Sequence, residues 1–222
     1  QTYDSFGNLL TQTNGRGQTS TNTYDAQGRI ISKRNPNNNI VTYNYNAQSL
    51  IQSVTNTLGK TTAYTFDNVG NLKTVTDPNS KVTTYNRDLA GNVTSVTNAN
   101  NQTTTYEYDQ LNRLTAVITA KNERTEYSYL STGELREVKD PQGKTIAFEY
   151  DNLGRLSKKT DQNGLYSTFQ YDGNGNLVQE TDPKGNVKVY QYDSINQLVK
   201  KLLPDNTIDL DYDIRGNLTL AQ

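Results

Sequence analysis

The residues best placed to do chemistry in this chain are its carboxylates, because it contains no histidine and no cysteine. Without imidazole or thiol, the usual nucleophile–base pairs and most transition-metal sites are excluded. Two facing carboxylates could still serve as the acid and base of a glycosidase. The run Asp172-Gly173-Asn174-Gly175-Asn176 sets oxygen ligands at alternate positions, like the first half of a calcium loop. No glutamate follows where such a loop needs its last ligand, and Lys184 stands near that place, so the run reads as a glycine-rich hairpin turn. Asn92-Val93-Thr94, Asn101-Gln102-Thr103 and Asn217-Leu218-Thr219 have the form of glycosylation acceptors, as chance provides in a chain rich in Asn and Thr. Tyrosines beside Asn and Asp offer a platform for sugar rings, with Tyr85, Tyr106, Tyr127 and Tyr190 as the candidate ligand-facing rings. Strand-centre aromatics at fixed register also pack against neighbouring strands, which is the bland reading of the same residues. No catalytic, metal-binding or cofactor-binding residue is assigned, no cofactor is expected, and the chain is read as non-enzymatic.

Most aspartates have another role, which the period of the sequence exposes. Tyr3, Tyr24, Tyr45, Phe66, Arg87, Tyr108, Tyr129, Tyr150, Tyr171 and Tyr192 follow one another at 21-residue steps, and Tyr212 comes 20 residues later. All tyrosines except Tyr166 stand at such a start or two residues before it, and all five prolines stand twelve residues after one. Self-similarity of this kind marks a repeat architecture in which each copy buries its apolar side against its neighbours. Each copy carries an early corner, such as Asp67-Asn68-Val69-Gly70, and a late one, such as Asp140-Pro141-Gln142-Gly143. Asp at the first place bonds backbone N–H groups, Pro at the second presets φ, and Gly at the fourth accepts the left-handed conformation. Asn or Ser stands in for that Gly at Asn112, Asn196 and Ser49 early, and at Asn38, Ser80 and Asn122 late. The glycines are backbone devices and not a phosphate cradle.

The stretches between corners have strand length and alternate, with Ile146, Phe148 and Tyr150 on one face and Thr145, Ala147 and Glu149 on the other. The stretch after each early corner opens on an aliphatic residue, as at Ile51, Leu72 and Val93, and Val54, Val75 and Val96 follow three places on. That offset cannot put both on one face of a regular strand, so either a bulge intervenes or both faces are partly covered. The expected fold is all-β: tandem repeats forming an antiparallel hairpin meander that coils into a curved strip. Aligned Tyr and Phe are expected to form ladders along it.

Residues 1–222 read as a single array of about ten repeats and as a fragment of a longer protein. With 32% hydrophobic residues there is little material for a thick core, which fits a thin sheet. The 22 basic and 23 acidic residues are spread without blocks, so no basic stripe points to nucleic acid. No stretch approaches the length of a membrane span. Lys158-Lys159 and Lys200-Lys201 read as solvated faces.

The sequence Tyr150-Asp151-Asn152-Leu153-Gly154-Arg155-Leu156, with Tyr171 to Leu177 and Tyr212-Asp213-Ile214-Arg215-Gly216-Asn217-Leu218, resembles the RHS or YD repeat. The resemblance covers essentially the whole chain, with departures at Asn46, Arg87 and Leu130, and with Asn22 where later copies have an aromatic. It implies a β-ribbon that spirals into a hollow shell, secreted or at the cell surface. Its partner would be an enclosed C-terminal toxin or cargo domain of the same longer protein. In the teneurin-like members a related shell or barrel serves cell-surface adhesion. The alternative reading of this chain is an extracellular adhesin or carbohydrate-binding module that meets a cell-surface glycan through its repeated tyrosines. The family's self-cleaving segment has no counterpart here, so autoproteolysis is not carried over.

Overall fold

Each repeat folds as two hairpins that share a strand, because its two corners reverse the chain and its two alternating stretches pair between them. The computed structural model describes residues 1–213 and 215–221, with the side chains of Leu220 and Ala221 outside that description. Ile214, inside the last copy of the motif, and Gln222 therefore lie outside the described residues. The described residues form 22 β-strands and include no helix. A five-residue strand follows each early corner but the last, whose strand Leu218–Ala221 has four, and a six-residue strand follows each late one, as in Ile51–Thr55 and Thr61–Phe66. The chain divides into two compact units, Gln1–Arg113 with Thr119–Lys121, and Leu114–Ile118 with Asn122–Gln222. Within each unit the strands pair antiparallel in chain order, the meander expected from the sequence.

The corners have the bonding of a type I turn closed by a left-handed residue. At Asp67–Asn71 the Gly70 N–H donates to the Asp67 carbonyl at 3.1 Å, and the Asp67 N–H donates to the Asn71 carbonyl at 2.9 Å. Late corners repeat this, with 2.9 and 2.8 Å at Asp140–Lys144. Every substitute for glycine named from the sequence has positive φ, from Asn112 at 60° to Asn196 at 64°, and Asn101 joins them at 58°. The last late corner is tighter: Leu203 N–H donates to the Asn206 carbonyl at 2.7 Å, and no left-handed residue follows. That missing residue is why the final step of the repeat is short.

A bulge settles the question left by the three-residue offset. Across the early corner Phe66 pairs with Leu72, but Thr65 pairs with Thr74, so Lys73 has no partner. One extra residue in one strand shifts the alternation of the rest of that strand by one place. Leu72 and Val75, which pairs with Tyr64, thereby share the face of Phe66 and Tyr64. The same shift occurs at the other early hairpins, as between Val93 and Ser95 or Glu149 and Tyr150, while late hairpins such as Val75–Thr83 run in regular register.

Each unit therefore presents two unlike faces. One gathers the aromatic rings with the aliphatic residues opposite them. Tyr43 pairs with Val54, Tyr64 with Val75 and Tyr85 with Val96. The expected Tyr ladders are corrected to aromatic–valine pairs, because a whole five-residue strand lies between successive tyrosines. The other face of the first unit is a field of hydroxyls, bonded across strands at Thr13–Thr19, Thr55–Thr61, Thr65–Thr74 and Thr97–Thr103 at 2.6 to 2.8 Å. In the second unit charges replace them, with Glu126 against Lys139 and Glu149 against Lys158. Among the described residues only Ala116 is fully buried. Neither unit packs a second layer on its strands among the described residues.

Candidate functional site

The recurring Tyr–Asp pair carries out two backbone repairs at once. A bulge leaves the carbonyl of the strand's first residue outside the regular ladder, and a polar group without a partner is costly when buried. The Tyr45 hydroxyl donates to the Ile30 carbonyl at 2.8 Å, fifteen residues back. Tyr24, Tyr108, Tyr129, Tyr150 and Tyr192 do the same for Leu9, Val93, Leu114, Leu135 and Leu177. Asn22, noted as a departure, adds a second donor to the Leu9 carbonyl at 3.0 Å. Partial burial is the main cause that raises the phenols of Tyr108, Tyr150 and Tyr192, so they remain protonated donors. Tyr45→Phe is expected to lower stability by about 0.5–1.5 kcal/mol in urea unfolding, the net value of one such bond. A loss near zero would mean that water serves the Ile30 carbonyl equally well.

The aspartate that follows holds the corner. Asp67 Oδ1 accepts the N–H groups of Val69 at 3.0 Å and Asn71 at 2.8 Å, and Oδ2 accepts the Asn71 side-chain amide at 3.0 Å. The amide and then the backbone N–H of Asn71 hold this carboxyl below its ordinary range. At Asp109 and Asp151 the backbone N–H of Arg113 or Arg155 is the leading cause of the same lowering. At Asp25 partial desolvation is the strongest single influence and opposes ionisation, but the Arg29 bonds outweigh it. Asn46 keeps the geometry without a charge, accepting Gln48 N–H at 3.0 Å and Leu50 N–H at 2.9 Å. Arginine at the fifth place of a corner covers a later ring, with Arg29 4.5 Å from the centre of Tyr45 and Arg155 4.7 Å from that of Tyr171.

These bonds occupy the groups that could otherwise act. Asp172 Oδ1 accepts Asn174 and Asn176 N–H, and Oδ2 accepts the Asn176 amide, so its oxygens serve the turn as read from the sequence. No group of three or more His, Cys, Asp or Glu among the described residues could hold a metal. A hollow of about 560 Å³ beside Asp4, Phe6, Asn8, Tyr24 and Asp25 is walled by the same bonded carboxylates. Of the lysine pairs read as solvated faces, Lys159 is exposed as expected, whereas the other three meet partners. Lys158 meets Glu149 at 2.9 Å, Lys200 meets Asp209 at 3.0 Å, and Lys201 lies 5.7 Å from the Tyr190 ring centre.

The four candidate rings all lie on the aromatic faces, half-buried. Tyr85 pairs with Val96, Tyr127 with Val138 and Tyr190 with Lys201, and Tyr106 lies two residues before Tyr108 in the strand Thr103–Tyr108. Tyr190 also donates to Glu180 at 3.1 Å. A depression of about 280 Å³ at Thr115, Glu126, Ser128, Glu137 and Lys139 belongs to the opposite face from the Tyr127 ring. Sequence reasoning noted Arg87 only as a departure; it occupies a tyrosine place on the aromatic face of the first unit.

A family model described as teneurin YD-shell matches residues 1–93 and 86–221. No curated protein sequence matches. Among solved structures, TcdB2-TccC3 without its hypervariable C-terminal region is 16% identical over 96% of this chain and 16% of that chain, with a TM-score of 0.66. A Tc holotoxin pore of Photorhabdus luminescens is 14% identical over 99% of this chain and 15% of that one, with a TM-score of 0.63. TcdB2-TccC3-TEV is 18% identical over 98% and 16%, with a TM-score of 0.59. At these identities the likeness is one of fold, and this chain spans about one sixth of the length of the solved chains it matches.

Proposed function

This chain belongs to the teneurin YD-shell family, and from that premise we propose that residues 1–222 are a single array of wall repeats within a longer protein. The array is a non-catalytic structural segment, part of a β-shell that encloses a toxin or other cargo domain lying C-terminal in the same polypeptide. The protein is secreted or carried on the cell surface. The observation that carries this reading is that, among the described residues, neither unit packs a second layer on its strands and Ala116 alone is fully buried. A domain that folds for itself covers at least one face of its sheet. A wall has its contents on one side.

The margins of the sheet support the same reading. Five early corners expose a large apolar residue at the third place, at Phe6, Val69, Leu111, Leu153 and Ile195, while others hold a polar one, as at Gln27, Gln48 and Thr132. Late corners mostly hold polar residues there, such as Arg16, Asn79, Gln142 and Lys184. Apolar residues aligned on one margin suit contact with a neighbouring course of the same wall. One similar solved structure is of TcdB2-TccC3 without a hypervariable C-terminal region, and a constant wall ahead of a variable part is the arrangement proposed here.

In this reading Tyr85, Tyr106, Tyr127 and Tyr190 face the enclosed polypeptide. The rival, an adhesin that binds a cell-surface glycan through the same rings, requires glycan-array binding by this chain that Tyr106→Ala removes. Limited proteolysis of the whole longer protein decides the main proposal. The cargo should survive a protease dose that degrades the same domain expressed alone. Equal digestion of the two would overturn the reading.

A further inference from the structure

We infer that Arg87, on the aromatic face of the first unit, anchors a carboxylate of an apolar segment of the enclosed polypeptide. The inference rests on the enclosing role proposed above, and it specifies which face is turned to the contents and what chemistry meets it.

Arg87 stands where the other repeats place a ring. Its neighbours on that face are Phe66 and Leu72, Tyr64 and Val75, Tyr85 and Val96, with Tyr108 in the next repeat. A guanidinium has five N–H donors and is always charged. Nη1 of Arg87 donates to the Gly91 carbonyl at 3.0 Å, whereas Nε is buried and has no hydrogen-bond partner. No ion pair neutralises it among the described residues: the neighbouring Asp88 carboxylate bonds the Asn92 side chain and backbone. Where Arg29 and Arg155 meet a carboxylate four residues earlier, Arg87 meets none.

The surroundings sharpen the contrast. The strand positions on this face of the first unit include two basic residues, Lys33 and Arg87, and no Asp or Glu. On the corresponding face of the second unit Lys159, Lys188 and Lys201 outnumber Glu180. Both aromatic faces are thus net positive in a chain whose formal charge is -1. A cation held among tyrosine and valine is matched by an anion carried on apolar chain, because a carboxylate pairs with the fork of the guanidinium. The aromatic rings around it supply contact area without competing charge.

The test uses the whole chain and a labelled peptide that alternates valine and serine, with aspartate at the centre of its valine face. A second peptide carries asparagine at that centre. Fluorescence anisotropy should give binding about tenfold tighter for the aspartate peptide, an advantage kept in part by Arg87→Lys and lost in Arg87→Tyr. The tyrosine variant restores the residue of the other repeats, so it should fold, and circular dichroism checks that it does. Equal binding of the two peptides, no binding of either, or an undiminished preference in Arg87→Tyr would overturn the inference. Protease exposure of the cargo alongside an Arg87-dependent preference would remove the enclosing role and leave the carboxylate site standing.

Discussion

Deletion of Lys73 is expected to unfold the hairpin formed by Thr61–Phe66 and Leu72–Thr76. Lys73 is exposed and unpaired, so by its contacts alone it should be dispensable. Its place in the backbone is another matter. Side chains alternate with a period of two, so removing one residue sends either Leu72 or Val75 to the hydroxyl face. The pairs Phe66–Leu72 and Tyr64–Val75 cannot then form together. Losing one aliphatic residue from its partner and exposing it costs about 1.5–3 kcal/mol, and the broken aromatic–aliphatic pair adds up to about 1 kcal/mol. By contrast, Lys73→Ala keeps the bulge and should stay within about 0.5 kcal/mol of the parent. Hydrogen exchange resolved by peptide reads this locally, which suits a repeat chain whose parts need not unfold together. Full protection of Thr61–Phe66 in the deletion variant would show that the bulge is not what sets the faces.

Acid should open the corners, and the effect should be large because it is repeated. Asp4, Asp25, Asp67, Asp88, Asp109, Asp151, Asp172, Asp182 and Asp213 all have carboxyls lowered from the ordinary value of 3.8. A group whose folded pKa lies below its unfolded one stabilises the fold fully above the unfolded value. That contribution disappears as pH falls through the folded value, here in the range below 3.8. Stability measured by urea at stepped pH should therefore be level from neutrality to about pH 5 and fall steeply below pH 4. Replacing Asp4, Asp67 and Asp88 by Asn should flatten that fall for the first unit, since Asn46 makes the same backbone bonds without a proton to gain. An unchanged acid profile in the triple variant would place the sensitivity elsewhere.

The corners were legible in the sequence because their chemistry is local: Asp, Pro and Gly at fixed places leave few backbone conformations. The left-handed residues named from that pattern all adopt it, from Asn38 to Asn196. The faces were less legible. The offset from Leu72 to Val75 admitted two explanations, and nothing local distinguishes an unpaired Lys73 from an ordinary outward one. The tyrosine rows misled for a related reason. Period alone brings Tyr64 and Tyr85 into line, but the intervening strand places Val75 between them. The hydroxyl bond from Tyr45 to Ile30 spans fifteen residues and depends on the bulge, so it was invisible until the bulge was known. Arg87 showed as a break in the pattern; that its Nε lacks a partner is a property of packing.

The bond from the starting tyrosine to a carbonyl fifteen residues behind it ties a copy to its predecessor at Tyr24, Tyr45, Tyr108, Tyr129, Tyr150 and Tyr192. Genetic loss or gain of one whole copy, as when Tyr24 takes the place of Tyr45, delivers an equivalent hydroxyl to an equivalent carbonyl. A change of other length has to be absorbed within a corner, as in the last copy, where the tighter Leu203–Asn206 corner drops one residue and Tyr212 still donates to the Leu198 carbonyl at 3.0 Å, fourteen residues back. Unequal crossing-over between copies can thus lengthen or shorten the ribbon in whole steps without redesigning any of them.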